Sequence, residues 1–451
     1  MKKLVSLRRV LITLLFVLIP GTGYLLPQDK EVFTLEKALE KALMNNYDVQ
    51  LSALNLEKSD AQISEAYAGA WPKINLSGQY TRNIKSPVLF IGPNTPFNPT
   101  PNTLTFSIGA DNSYNLGFSL NQSVYDPRLG TGISIAKKYA EYQKVNDKST
   151  REEVASKVKQ AFYSCLLAKK VVDVTKQGYE LAKANFENMK ILNSKGAVSE
   201  FDMLRAEVQV ANVEPKLIEA KNNLELALNG LKNLLSIDLS REIDVDGQFL
   251  VIAPDPELLT KSDEILAERN PLLRSVSIQK SILEDNIDIE KAAYLPSLSA
   301  FGSYAWQTQD NTFEFGNYKW ATTFSVGLTL SFQVFDGFKR KARVEQAEID
   351  VRSLDLTRTK LQEGLKISLL QSRLKMDEAL MRLKAVEKST SQAEKAVKIA
   401  ETRFKNGIGT QLEILDTQNS LTSIRLSYEK AVYDFLMART EWERVLGLNF
   451  N

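Results

Sequence analysis

Along residues 322–337, TTFSVGLTLSFQVFDG, apolar side chains fall on every second position: Phe324, Val326, Leu328, Leu330, Phe332 and Val334. Ser325, Gly327, Thr329, Ser331 and Gln333 lie between them, and none is charged. A period of two sends the two sets to opposite faces of a strand. The pattern therefore predicts a strand over 322–336. The same alternation predicts strands over 72–82 (Ile74, Leu76, Tyr80), 113–126 (Tyr114, Leu116, Phe118, Leu120) and 296–307. Between the first two, residues 83–112 hold Pro87, Pro93, Pro96, Pro99 and Pro101 and predict a long loop.

The rest of the chain has helical periodicity. A first helical stretch spans Phe33 to about Ala70, with Thr34 placed to cap it and Trp71-Pro72 to stop it. Residues 133–194 and about 340–405 contain no proline, and each predicts one helix on the order of 90–100 Å long at 1.5 Å per residue. Each ends at a glycine, Gly196 and Gly407. Beyond Gly196, Val210, Val213, Leu217, Ala220, Leu224, Ala227, Leu231 and Leu234 step by three and four, a heptad seam. Pro215 predicts a kink or a helix start within it. A second seam runs through Leu421, Ile424, Tyr428, Ala431, Phe435, Ala438, Trp442 and Val445, each 211 residues after its counterpart. Gly78 and Tyr80 are answered by Gly302 and Tyr304, and Gly117 and Asp126 by Gly327 and Asp336. This is an internal duplication. Residues 24–240 form one repeat and 266–451 the other, joined by a connector over 241–265.

Composition narrows the function. With 57 Lys+Arg against 55 Asp+Glu, bulk charge gives no pointer to nucleic acid. The 451 residues include no histidine, which removes the commonest general base and metal ligand, and a single cysteine, Cys165, excludes an internal disulfide. No nucleotide-binding loop, nucleophile–base pair or metal constellation is present, so neither an enzyme nor a cofactor is expected. Residues 1–23 begin with Lys2, Lys3, Arg8 and Arg9, followed by an apolar run from Val10 to Ile19 too short to span a bilayer, and read as a cleavable export signal.

An exported chain with four amphipathic strands and no later apolar run of membrane-helix length can enter a bilayer only as a closed barrel. Four strands do not close, so several copies would have to pool them, and three copies give twelve. Strands of about ten residues with Tyr80, Tyr114, Tyr125, Tyr304, Trp306, Trp320 and Phe335 near their ends suit a bilayer. The alternation also suits a small soluble sheet beneath helices.

At this point FTLEKALEKALMNN (33–46), WPKINLSGQY, LPSLSAFGSY, SVYD, QVFDG, GAVSEFDMLRAE (196–207) and NGIGTQLEILDTQNSL (406–421) can be taken together. In that order and duplication the chain resembles the TolC family of outer-membrane efflux proteins over essentially everything after the signal. The resemblance implies an α+β, mostly α fold: a homotrimeric twelve-stranded transmembrane β-barrel, continued by a periplasmic α-helical coiled-coil barrel. It implies a passive exit duct in the outer membrane, partnered by a periplasmic adaptor and an inner-membrane pump. The alternative is a periplasmic coiled-coil adaptor or scaffold that never enters the membrane.

The resemblance also places an acidic pore ring at Asp202, Glu413 and Asp416. The adaptor contact would lie at the hairpin tips: Gly196, Val198, Ser199, Phe201, Gly407, Thr410 and Leu412. The family's polar gate pair falls on Phe404 and Gly409, which cannot make the same bonds, so no closed-state latch is assigned. Gly196 and Gly407 suit turns needing positive φ, and Ser199 and Thr410 suit caps of the returning helices. Cys165, on the apolar stripe of Val154, Val158 and Ala161, is expected to be an inert packing residue.

Overall fold

The computed structural model describes residues 30–448; the signal expected over 1–23 lies outside the described residues. The chain opens with a short strand β1 (Glu31–Phe33) and helices α1 (Leu35–Asn45) and α2 (Tyr47–Ala68). Thr34 accepts from the Lys37 N–H at 3.4 Å, capping α1. The single helical stretch expected here is divided at Asn46, whose extended backbone ends α1 and whose Oδ1 caps α2 through the Asp48 N–H at 2.9 Å.

Strand β2 (Lys73–Arg82) follows, then a hairpin of β3 (Val88–Ile91) and β4 (Leu104–Ser107), then β5 (Asn112–Tyr125). The expected long loop thus contains paired backbone, because the prolines cluster between two short apolar runs rather than within them. Helix α3 (Pro127–Ser194) starts six residues earlier than the periodicity predicts. Asp126 accepts from the Arg128 N–H at 2.9 Å, and Pro127 takes the first helical position, where its missing N–H costs nothing. Helix α4 (Glu200–Leu234) passes through Pro215, so the helix start expected there is not found. Ala206 on one side and Leu217 and Ala220 on the other are buried, and packing on both sides outweighs one lost hydrogen bond.

The connector holds strand β6 (Ile243–Val245), which pairs in parallel with β1, and helix α5 (Pro256–Thr260). Helix α6 (Ser262–Arg269) leads from it to α7 (Pro271–Ala292). Then come β7 (Ser297–Asp310), a 3₁₀ turn at Phe315–Asn317, β8 (Ala321–Ser331), and helices α8 (Lys339–Lys405) and α9 (Gln411–Leu446). The strand predicted over 322–336 therefore stops at Ser331. Its neighbour β7 begins at Ser297, opposite Ser331, and residues beyond that point have no strand to pair with in this chain.

Among the described residues the two larger buried cores are formed where the helices meet, and a smaller cluster of Ala393, Val397 and Leu421 lies towards the tips. One of the two larger cores gathers Phe33, Val158, Phe162, Cys165, Leu231 and Val245; the other gathers Leu369, Met376, Phe435, Trp442 and Val445. Each is locked by a buried asparagine. Asn46 Nδ2 donates to Leu234 O at 2.9 Å, and Asn270, which caps α7, donates to Val445 O at 2.8 Å. Each therefore ties a helix start to the end of a seam. Cys165 is fully buried and its thiol is pushed up to about 12 by burial, which keeps it unreactive.

Lys169 on α3 holds β6 by donating to Asp244 at 3.0 and 3.1 Å and to Val245 O at 2.9 Å. Burial raises the Asp244 carboxyl, but its bonds to Lys169 and to the Val245 N–H outweigh that and hold it below the usual range. Both partners keep solvent contact, so Lys169→Ala is expected to cost about 1 kcal/mol at neutral pH. The contribution exists above the ordinary carboxylate value and is lost as pH falls through the depressed one. Denaturation midpoints at pH 7 and in a series descending below the ordinary carboxylate value would read the loss and its progressive decline.

Candidate functional site

Two regions carry the candidate chemistry: the sheet and the far ends of the long helices. The sheet is antiparallel, in the order β2-β5-β7-β8. Pairing puts Leu76 beside Phe118, Phe118 beside Tyr304 and Tyr304 beside Phe324, so one face is apolar across all four strands. The opposite face carries Asn75, Ser77, Asn115, Ser119, Ser303, Ser325 and Thr329, and Ser303 and Ser325 share a hydrogen bond of 2.7 Å. Phe301 is an aromatic on that polar face. Its ring lies over Gly327, where an added Cβ would meet it at 2.7 Å, so the glycine makes room for it.

The apolar face has no cover. Phe324, Val326, Leu328 and Leu330 are 67–70% exposed, Ile74 is 67% and Leu76 61% exposed. A run of this size is not left in water by a chain that buries Phe162 and Phe435 completely. An exposed apolar patch of this size marks an interaction surface, for protein or for lipid. Among the described residues no helix is long and apolar enough to cross a membrane.

At the other end of the molecule, α3 turns into α4 and α8 into α9 through two similar tips. Gly196 has φ +68° and Gly407 has φ +74°, the left-handed conformation a helix-ending turn requires. The turns close with Ala197 N–H on Leu192 O at 2.9 Å and Ile408 N–H on Arg403 O at 3.0 Å. Ser199 Oγ accepts from the Asp202 N–H at 3.2 Å and donates to the Asp202 carboxylate at 2.6 Å, while Thr410 Oγ1 accepts from the Glu413 N–H at 3.3 Å.

The acidic candidates are not equivalent. Asp202 is engaged in its own cap. Glu413 is ion-paired: Arg403 Nε donates to its Oε2 at 3.2 Å, and a second Arg403 nitrogen donates to Ile408 O at 3.1 Å. Asp416 is exposed and makes no ion pair among the described residues. Sequence reasoning missed Arg403. The only signal was a cation ten residues before Glu413 across a predicted turn, a spacing that matters only once the turn geometry is known.

Gly409 explains its own identity. A Cβ there would sit 2.9 Å from both Arg403 Cβ and the Phe404 nitrogen, so position 409 accepts no side chain. The two tips face one another across a crevice of 780 Å³ whose walls include Leu192, Val198, Phe404, Gly407 and Ile414. Phe201 (67% exposed, its ring beneath Arg205) and Leu412 (44%) lie outside it on the surface. The structure thus brings Val198 and Gly407 together and leaves Phe201 and Leu412 apart from them.

With this geometry in place, the family model described as outer membrane efflux protein matches residues 38–236 and 264–448. The chain belongs to the outer membrane efflux protein family. Similar relatives include the cobalt-zinc-cadmium resistance protein CzcC of Cupriavidus metallidurans, 22% identical over 92% of this chain and 90% of the relative. The cation efflux system protein CusC of Escherichia coli is 22% identical over 88% of this chain and 81% of its own. The CmeC outer membrane channel of Campylobacter jejuni superposes with a TM-score of 0.74 at 17% identity, covering 92% of this chain and 86% of that one. As a member of this family, the chain is an outer-membrane efflux channel with a large periplasmic helical part.

Proposed function

We propose that three copies of this chain close their sheets into one twelve-stranded barrel and their helices into a tunnel, forming a passive duct from periplasm to exterior. The observation that carries this reading is the uncovered apolar face on a four-stranded sheet with two unpaired edges. Bilayer lipid can cover such a face, but unpaired edges cannot persist in lipid, and only further strands satisfy them. The same observation disfavours a periplasmic scaffold, which would leave the face in water.

The two sequence repeats, 24–240 and 266–451, each supply two strands and one helical hairpin to this assembly. Helices of 68 and 67 residues reach about 100 Å, a span suited to crossing a compartment. The tips, with Gly196, Val198, Ser199, Phe201, Gly407, Thr410 and Leu412, are the proposed contact for a periplasmic adaptor that links the duct to an inner-membrane pump. The proposed cargo is whatever that pump delivers. Relatives are described as serving cation efflux and, for the alkaline protease secretion protein AprF of Pseudomonas aeruginosa, protease secretion. AprF is 22% identical over 66% of this chain and 61% of its own length.

Asp202, Glu413 and Asp416, each in three copies, are proposed to make the tunnel entrance cation-favouring. Because Arg403 offsets Glu413, Asp416 carries most of this effect. Asp416→Asn is expected to lower cation preference, and Arg403→Gln to raise it by freeing Glu413. The reversal potential of single channels across a salt gradient reads both signs, and no change in either variant refutes the assignment. The duct itself is tested by ion conductance in planar bilayers and by heat-modifiable migration as a trimer. A soluble monomer without channels would overturn it.

A further inference from the structure

We infer that edge strands of neighbouring copies pair in one fixed register, Leu330 of one copy opposite Gly78 of the next. In that pairing, residues 332–335 and 84–86 become strand. The inference rests on the proposed assembly of three copies and specifies its seam.

Each repeat contains one ladder of the four-stranded sheet. The β2–β5 ladder runs from Lys73↔Asn121 to Arg82↔Asn112, and the β7–β8 ladder contains Ser297↔Ser331 through to Trp306↔Thr322. A shift of 224 residues on one strand (73 to 297) and 210 on the other (121 to 331) converts every pair of the first into a pair of the second. The same ladder is built twice. A third ladder, β5–β7, joins the two units and runs from Asn112↔Asp310 to Tyr125↔Leu298, with an irregularity between Ser123 and Tyr125.

Within that joint, both strands extend beyond their own repeat's pairing. Residues 122–125 of β5 and 308–310 of β7 are strand with a partner only across the joint. The same shifts identify their counterparts at the free edges as 332–335, beyond β8, and 84–86, beyond β2. In the single chain neither segment is strand. Their side chains stand open: Ile84 is 92% exposed, Val334 81% and Phe335 69%. What they lack relative to their counterparts is a neighbouring strand.

Applied to Leu120↔Gly302 of the joint, the shifts give Leu330 opposite Gly78 of the next copy. Directions agree, because each strand in the order β2-β5-β7-β8 runs against its neighbour, so β8 runs against β2. Faces agree as well. The register sets Phe332 against Leu76 and Leu328 against Tyr80 on the apolar side, and Ser331 against Ser77 and Thr329 against Gln79 on the polar side. A slip of one residue would mix the faces. A slip of two would shorten one extended end and leave its backbone unpaired in lipid.

The test uses the full-length protein in outer membranes, carrying Ser331→Cys together with Ser77→Cys and oxidised with diamide. Directly opposed residues sit about 4.5–5.5 Å apart between Cα atoms, within disulfide reach, while pairs displaced by two residues lie at roughly 7–8 Å and are not. The native Cys165 is buried and does not compete. The expected result is a reducible covalent ladder up to the trimer, at least fivefold stronger than with Ser331→Cys paired with Asn75→Cys or Gln79→Cys. A trimer intact by native mass in which a displaced pair links as well, or no pair links, overturns the register while leaving the assembly standing. Absence of any oligomer by native mass overturns the assembly and the register with it. Hydrogen exchange gives a second reading: alternate amides within 332–335 and 84–86 are expected to be protected in the assembled protein. Free exchange throughout both segments would refute their conversion to strand.

Discussion

Val326→Arg is expected to destabilise the membrane-inserted protein by about 2–4 kcal/mol per copy, the cost of an arginine on the lipid side of a barrel near the bilayer midplane. Val326 sits in the middle of β8, is 70% exposed, and stands on the apolar face opposite Gly302. Ser325→Arg, one residue away, points to the polar face beside Ser303 and is expected to fold close to the parent, because water solvates the cation there. Urea titration of folding into lipid vesicles, read by heat-modifiable migration, separates the two. Equal sensitivity at 325 and 326 would mean that the apolar face does not meet lipid.

The second large effect lies in the helical part. Phe435→Ala is expected to cost about 3–5 kcal/mol, since a fully buried aromatic is replaced by a cavity among rigid neighbours. Phe435 packs in the cluster that holds Leu369, Met376, Trp442 and Val445, where α8 and α9 meet α6 and α7. Leu412→Ala at the tip, 44% exposed, is expected to stay within about 0.5 kcal/mol. The midpoint of helical circular dichroism in guanidinium chloride would show the difference. A shift below 1 kcal/mol for Phe435→Ala would indicate a core that collapses to fill the space. Loss of this core would let the seams slide, so the same variant is also expected to broaden the distribution of channel conductances.

The residues that announce the fold do so through local rules. Asp126-Pro127, Gly196, Ser199, Gly407 and Thr410 each satisfy the dihedral or capping demand of one turn, and that demand is visible in a few consecutive letters. The alternation in each strand and the three-four stepping of each seam are equally local, since they follow from the pitch of one element. Asn46 and Asn270 were harder to read, because their value lies in reaching Leu234 and Val445 across the core.

The candidate site divides in the same way. Asp202, Glu413 and Asp416 stand out as acids near predicted turns, yet nothing in the sequence separates them. Arg403 pairs with Glu413, while Asp416 has no ion-pair partner among the described residues, a distinction that exists only because the turn brings residues ten apart into contact. Likewise, position 409 reads as a missing polar group until the backbone of Arg403 and Phe404 is seen to fill the space a side chain would need.

By itself, the sequence predicted four two-faced strands, two long helical hairpins and a duplicated plan. Periodicity and turn chemistry act over a few residues and need no tertiary contact. Only the tertiary structure decided where β8 ends, which acid is ion-paired and which registers the ladders adopt. Those depend on atoms from distant parts of the chain, since a strand needs a neighbour to bond and a carboxylate needs a cation within reach. The stretch 332–335 stands between the two: its alternation says strand, and the single chain has no partner to make it one.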